Sequence, residues 1–533
     1  MKDTIDANTL RSWLLDDEEL ALFDVREELV FGRGHILYAS CLALSRLELK
    51  VDALAPRRSV RMVVCDGGEG LAGRAAERLE SFGYSNVNLL EGGIEAWRDA
   101  GFELFSGVNV PSKAFGEIVE HEYQTPSVSA DELKSKLDAG GDVVVLDSRP
   151  FGEYHARNIP TGICVSGAEL VYRVGDLVPS PEALVVVNCA GRTRSIIGAQ
   201  SLINAGIPNP VVALRNGTMG WHLAGHPLET GMTRRALDIS DETLKTAKRN
   251  AASVAERFGV ESIDKAMLER FRAEQDHRSL YLLDVRNPEE YLAGHLAGSR
   301  SAPGGQLVQE TDQFVGTLRS RVVLVDDTGV RAAMTASWLR QMGWAEVYVL
   351  ENAFEGETLQ SGPEAINVEG LSDTSAIEVK PQAIFSMLDE GEATVIDVSL
   401  SRHYLEGHVP GAWHVLRSRF AETLPAVNLA GVVVLTSEDG VLARLAVLEA
   451  AAITGAEVCV LEGGTDAWRD ADLVLEQGAT RMAGDADDLW LRPYEKDWGV
   501  EEAMQEYLTW EVALVEQIAR DGTARFRHRT DFD

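Results

Sequence analysis

Six residues, Cys189-Ala190-Gly191-Arg192-Thr193-Arg194, put one thiol and two guanidinium groups into a single short loop. A loop of this kind between a strand and a helix turns backbone N–H groups inward, and a helix that begins near Ser195 adds the positive end of its dipole. Both effects favour a thiolate, so the sequence predicts a Cys189 pKa below the free value of about 8.5. Arg192 and Arg194 present forked donors to the oxygens of an anion, with Gly191 and Thr193 completing the loop between them. The chemistry on offer is that of a sulfur nucleophile beside an oxyanion site.

The elements that must hold this loop recur four times along the chain. Each unit opens with an apolar strand ending in an Asp-x-Arg-like triplet: Asp24-Val25-Arg26, Asp147-Ser148-Arg149, Asp284-Val285-Arg286 and Asp397-Val398-Ser399. A Gly-His or proline turn follows, as at Gly34-His35, Pro160, Gly294-His295 and Gly407-His408. A second apolar strand then runs into a polar loop and an Ala-rich helix, with Val185-Val186-Val187 standing before Asn188 and Cys189. A third strand closes the unit. Glu-Gly-Gly with Ala-Trp-Arg-Asp-Ala follows it at residues 91–100 and 462–471, and Asn216-Gly217 with Trp221 in the second copy.

Short continuous apolar strands alternating with helices predict βαβ units, hence parallel sheets covered by helices on both faces. A chain of 533 residues is too long for one core, which stops growing near roughly 250–300 residues. Four tandem α/β domains are expected at 1–103, 124–230, 255–362 and 377–476, joined where the pattern breaks. A tail, 477–533, does not repeat, and its stretch Val500 to Ala519 has helical apolar spacing suited to packing across domains or subunits. A homo-oligomer stays open on that account.

Composition excludes several function classes. A formal net charge of −34 repels phosphate backbones and anionic headgroups, so neither nucleic acid nor a membrane surface is an expected partner. With no apolar leader-like stretch at Met1 to Asp6 and no long apolar run, a cytoplasmic location is expected. The five cysteines lack CxxC spacing, which argues against a disulfide framework or a zinc site, and no metal or organic cofactor is expected.

The constellation resembles the rhodanese family of sulfurtransferases, on Asp147-Ser148-Arg149, the turn at Pro160, the six-residue loop from Cys189, and Gly217 with Trp221. The resemblance spans nearly the whole chain as four rhodanese-like domains. It implies a five-stranded parallel sheet and a persulfide formed on Cys189. It also implies a small anionic sulfur donor such as thiosulfate, with cyanide or a thiol as acceptor. Arg192 and Arg194 would then hold the sulfonate. Cysteine phosphatases and arsenate reductases use a similar loop, but with five residues between Cys and Arg, whereas four separate Cys189 from Arg194. A third reading is a scaffold of rhodanese-like modules that docks a sulfur carrier or regulatory partner.

The other loops are poorer. Domain 1 offers Cys65 at what reads as the equivalent position, among Asp66 and Glu69, which raise its pKa and repel anions. Domain 3 offers Asp326 and domain 4 Thr436-Ser437, so neither forms a persulfide. Arg149 is expected to pair with Asp147, with the pocket mouth as its alternative place, and Glu153 and His155 are expected at the surface or in a turn. Cys41, Cys164 and Cys459 read as buried small hydrophobes, and Trp97, Trp221 and Trp468 as packing anchors, Trp221 with an option on the pocket rim.

Overall fold

The computed structural model describes residues 3–236 and 238–532. Four sheets follow one another along the chain, each flanked by helices. The second has the spatial order Ser127–Val128, Val211–Leu214, Leu184–Asn188, Val143–Asp147, Ile163–Cys164, all parallel. The third and fourth repeat that order. Central strands such as Leu184–Asn188 are apolar on both faces because helices cover both, which explains why they read as valine runs without alternation.

The first sheet differs from the expectation of a purely parallel one. A sixth strand, Thr317–Leu318 from the third repeat, pairs antiparallel with Leu20–Asp24. The two repeats are further tied by Tyr281, whose buried hydroxyl donates to the Leu54 carbonyl at 2.6 Å, and by Ser279, whose Oγ donates to Glu19 at 2.9 Å. Between the first and fourth repeats, Arg417 grips Glu48 through two bonds of 2.9 and 3.0 Å. Between the second and third, Arg331 reaches Glu169 at 2.9 Å, and the Trp338 indole donates to Ser201 at 2.8 Å. The four units therefore form one assembly.

Two stretches that read as linkers are helices. Val110–Tyr123, with Pro111 in its first turn, packs against the helix Thr193–Asn204 that follows the Cys189 loop, and Asp241–Arg257 bridges the second and third repeats. The tail forms a helix over Val500–Asp521, close to the stretch its spacing predicts. Its apolar face, Leu514 and Ile518, joins Phe105, Val110 and Ala114 in one cluster, so the tail packs on the first linker helix. Gly107 permits the approach, since a Cβ there would meet the Trp510 ring at 2.5 Å. Among the described residues no helix is long and apolar enough to cross a membrane.

The tryptophans anchor the repeats. Trp97, Trp221 and Trp468 are all but fully buried, and each indole N–H donates to the carbonyl six residues on, at Glu103, Pro227 and Val474. Trp221 is thus core and not pocket rim.

Arg331 has no solvent-exposed side-chain surface and contacts the carboxylates of Glu169, Glu290 and Asp327. Removing it strands buried negative charge between two repeats. Arg331→Ala is expected to lower stability by about 3 kcal/mol or more, seen as an earlier first unfolding transition in a urea titration.

Candidate active site

The loop is aimed by the strand before it. Asn188, the last residue of that strand, pairs in register with Asp147. Its Nδ2 donates to Asp147 at 2.8 Å, and Asp147 also takes two bonds from Arg149, at 2.8 and 2.7 Å. Arg149 further donates to the Arg157 carbonyl at 2.7 Å, so it clamps the strand end and the following turn together. On the far side the Cys189 carbonyl accepts from Thr218 N at 2.8 Å and Thr218 Oγ1 at 2.9 Å. Gly217, at φ +54, allows that contact: a Cβ would lie 2.5 Å from the Cys189 oxygen and 2.7 Å from that of Gly191. Gly93 and Gly464 press in the same way on the carbonyls of Asp66 and Ser437. The recurring Gly-Gly or Asn-Gly pair is thus a left-handed residue followed by one with no room for a side chain.

This register corrects the alignment of domain 1. Asp24 pairs with Cys65 just as Asp147 pairs with Asn188, so Cys65 matches Asn188 and Asp66 matches Cys189. A shift of one residue on a strand turns a side chain to the opposite face. Cys65 therefore points into the core, fully buried, its thiol held well above the usual range by that burial. In domain 4 the same register, Asp397 with Thr436, places Ser437 at the Cys189 position, and in domain 3 it places Asp326 there.

What fills each loop separates the four. In domain 3 the Asp326 carboxylate accepts from the N–H groups of Thr328, Gly329, Arg331 and Ala332, for example at 2.8 Å from Arg331. In domain 1 Asp66 accepts from Gly68 and Ala72, both at 2.9 Å, and Glu69 from Gly67 at 2.7 Å. In domain 4 Ser437 Oγ accepts from Ala443 at 3.3 Å, and Asp439 from Val441 at 2.9 Å. In domain 2 the N–H groups of Ala190, Gly191, Arg192, Thr193 and Arg194 have no acceptor among the described residues. Domain 2 alone of the four leaves all five N–H groups after this position without an acceptor, and it alone has a thiol at the position itself.

Cys189 itself is 2% exposed, its Sγ 3.4 Å from Ser195 Oγ. Burial pushes its pKa up, with Arg194 and the Ser195 contacts opposing. The expected depression is therefore reversed in sign: the burial of the thiol outweighs the local positive charge. Arg192 also departs from expectation. Its guanidinium turns away from the loop to Glu117, two bonds of 2.7 Å each, and to Glu120, both on the first linker helix. Arg194 stays at the site, held by Glu153 through two bonds of 2.9 Å and by Gln306 at 3.1 Å. Glu153 is thus a mostly buried partner and not a surface residue; burial raises its pKa, but Arg194 and its neighbours outweigh this and hold it at about 2. His155 lies against the Met232 carbonyl, outside this group. Cys41, Cys164 and Cys459 are buried, Cys41 and Cys164 on strand backbones with Sγ 3.6 Å from the carbonyls of Arg26 and Arg149.

A cleft of about 1030 Å³ opens on the loop, lined on the loop side by Ala190 and Arg194 and elsewhere by Lys113, Arg492, Tyr494, Tyr507 and Trp510. Much of that wall is tail. Tyr507, Leu508 and Glu511 lie against Gly191, where a Cβ would meet Glu511 Oε2 at 3.2 Å and the Tyr507 ring at 3.3 Å. Lys113, from the linker helix, sits over the Tyr507 and Trp510 rings, with burial lowering its pKa to about 8. Sequence reading found the tail helix but not these residues, because helical spacing gives a face and not what that face covers.

A family model of the rhodanese-like domain matches residues 6–100, 129–224, 266–357 and 380–471. The chain belongs to the rhodanese-like family. A crystal structure of a thiosulfate sulfurtransferase from Pseudomonas aeruginosa is 51% identical, with a TM-score of 0.96 over 98% of this chain and 99% of its own. An uncharacterized Bacillus subtilis protein, YqhL, is 36% identical over 87 residues, 16% of this chain and 66% of YqhL. An HTH-type transcriptional regulator of Mycobacterium tuberculosis, Rv0324, is 29% identical over 203 residues, 35% of this chain and 85% of its own. The rhodanese-like repeats account for the four sheets, and the full-length similarity extends through the tail.

Two outcomes are expected from this geometry. The thiolate absorbance of the protein, taken as the difference from Cys189→Ser, rises only above the ordinary thiol range of about 8.5, because the thiol is buried. Gly217→Ala displaces the loop carbonyls and slows reaction at Cys189 at least about tenfold, read as the alkylation rate of that thiol.

Proposed function

We propose that the chain is a sulfurtransferase that carries sulfane sulfur from thiosulfate to a thiol or cyanide through a persulfide on Cys189. The observation that carries this reading is the open cradle. All five N–H groups of residues 190–194 lack an acceptor among the described residues, whereas each of the other three loops satisfies at least one of its own with a side chain, and these five follow directly on the Cys189 thiol.

The steps follow from the geometry. The Cys189 thiolate attacks the outer sulfur of thiosulfate; the S–S bond breaks and its electron pair leaves on sulfite. The outer sulfur remains as the anionic end of the persulfide, and the N–H groups of residues 190–194 stabilise it, as such groups stabilise Asp326 in domain 3. An acceptor thiolate or cyanide then attacks that sulfur, and the Cys189 thiolate departs. Arg194, which lines the cleft, is the arginine placed to hold the sulfonate, whereas Arg192 positions the loop by anchoring it to the linker helix. Loop donors and a bound sulfur donor would replace the water that burial takes from the Cys189 thiolate, which is how a thiol disfavoured as an anion becomes reactive.

Intact-mass measurement after exposure to thiosulfate is expected to show a gain of about 32 Da, one sulfur, in the wild type and in Cys65→Ser but not in Cys189→Ser. Absence of the gain with thiosulfate, and with organic persulfide donors, overturns the reading. Arg194→Ala is expected to slow persulfide formation by about 10²-fold or more, and Arg192→Ala by less.

A further inference from the structure

Both arginines of the Cys189 loop already face carboxylates. Arg192 has Glu117 and Glu120, Arg194 has Glu153, and Lys113 lies near Glu511. Whether an anion is attracted to the cradle therefore turns on any carboxyl that can change its charge there. Glu511, from the tail helix, is such a group. It is 1% exposed, Oε1 accepts from the Tyr507 hydroxyl at 3.0 Å and from Thr193 Oγ1 at 3.3 Å, and Oε2, on the Gly191 side, is buried with no partner among the described residues. In domains 1 and 3 the carboxylate at the Cys189 position accepts from N–H groups of its own loop, but Glu511 accepts from none of the N–H groups of the Cys189 loop.

We propose that Glu511 sets which anions the Cys189 loop admits: with a proton on Oε2 it donates a hydrogen bond to an oxyanion in the cradle, and without it the carboxylate repels the same anion. The inference rests on the sulfur-transfer reading for the identity of the anion, a sulfonate-bearing donor. A buried oxygen without a donor is costly as a carboxylate and is relieved when it carries a proton that a guest can accept. Burial, foremost, raises the Glu511 pKa to about 7, with Lys113 and Arg192 opposing and Glu117 adding to the rise. No covalent step is added: binding of the dianion takes up one proton at Glu511, and release of the anion returns it.

The charged and titratable groups facing Glu511 are Lys113 and Glu117 on the linker helix, Cys189 and Arg192 on the loop, and Tyr507 on its own helix. Lys113, whose pKa falls to about 8, also loses charge as pH rises, so the test must separate the two. Cys189→Ser in the full-length chain removes the reacting thiol and allows equilibrium binding of thiosulfate to be measured by calorimetry. Its Kd is expected to weaken about tenfold per pH unit once Glu511 ionises, between about pH 7 and about pH 9. Adding Glu511→Gln, a neutral group of the same shape, is expected to flatten that dependence and to improve binding at the alkaline end. A merely structural role predicts the opposite, weaker binding throughout.

Adding Tyr507→Phe instead removes a donor that favours the ionised carboxyl, and is expected to move the break to higher pH. An unchanged pH dependence with Glu511→Gln, which would assign it to Lys113, overturns the proposal, as does absence of thiosulfate binding at every pH. Failure of the wild type to form a persulfide while pH-linked binding persists would overturn the sulfur-transfer reading and leave this one standing.

Discussion

Backbone N–H groups that converge in a strand-to-helix loop need a negative partner, and much of this molecule can be read as the different ways that need is met. Asp66, Asp326 and Ser437 stand at one position in three loops, and the first two are carboxylates that accept from N–H groups of their own loops. Cys189 stands at that position in the fourth, and a thiol is too poor an acceptor to do the same. The loop is left with five donors and no internal acceptor, held open by groups outside it: Asp147 on the strand behind, Gly217 and Thr218 to one side, Glu117 through Arg192 on the other. The loops thus differ both at this position and in the side chains after it, Glu69 and Asp439 each accepting a loop N–H of their own.

The strongly acidic character of the chain gives that local arrangement its sense. An excess of carboxylates lets nearly every arginine near the site be paired, and the pairing fixes the loop while cancelling its charge. The positive potential expected from two arginines is therefore smaller than their number suggests. Attraction of an anion comes instead from oriented N–H dipoles, which cannot be neutralised by a side chain on the far side of the loop. The carboxyl of Glu511 acts on this nearly balanced background, where one proton changes the sign.

The repeat was legible because its markers are backbone requirements. Gly217, Gly93 and Gly464 sit where only glycine fits against the loop, and Asp-x-Arg recurs at the ends of Val143–Asp147 and its first- and third-repeat counterparts because the pair clamps a turn. Cys189 was legible for the same reason, as the residue after a valine strand. Three things were not. The match of Cys65 with Asn188 depends on strand register, which a cysteine one residue away imitates. The direction of Arg192 depends on Glu117, in a segment whose glycine and polar residues hid a helix. Glu511 is more than three hundred residues from the loop it touches, and only the packing of the tail on Val110 and Ala114 brings it there.

The short strand Thr317–Leu318 carries a consequence for how the chain comes into being. As the polypeptide emerges from a ribosome, the first sheet has an uncovered edge at Leu20 and Ala21 until some three hundred further residues have been made, Ser40–Cys41 covering the rest of that strand. The second repeat, whose strands all come from its own segment, completes its hydrogen-bond ladder sooner. Biogenesis thus need not follow the order of translation: the copy bearing Cys189 can settle first, and the amino-terminal copy is finished by a segment borrowed from much later in the chain.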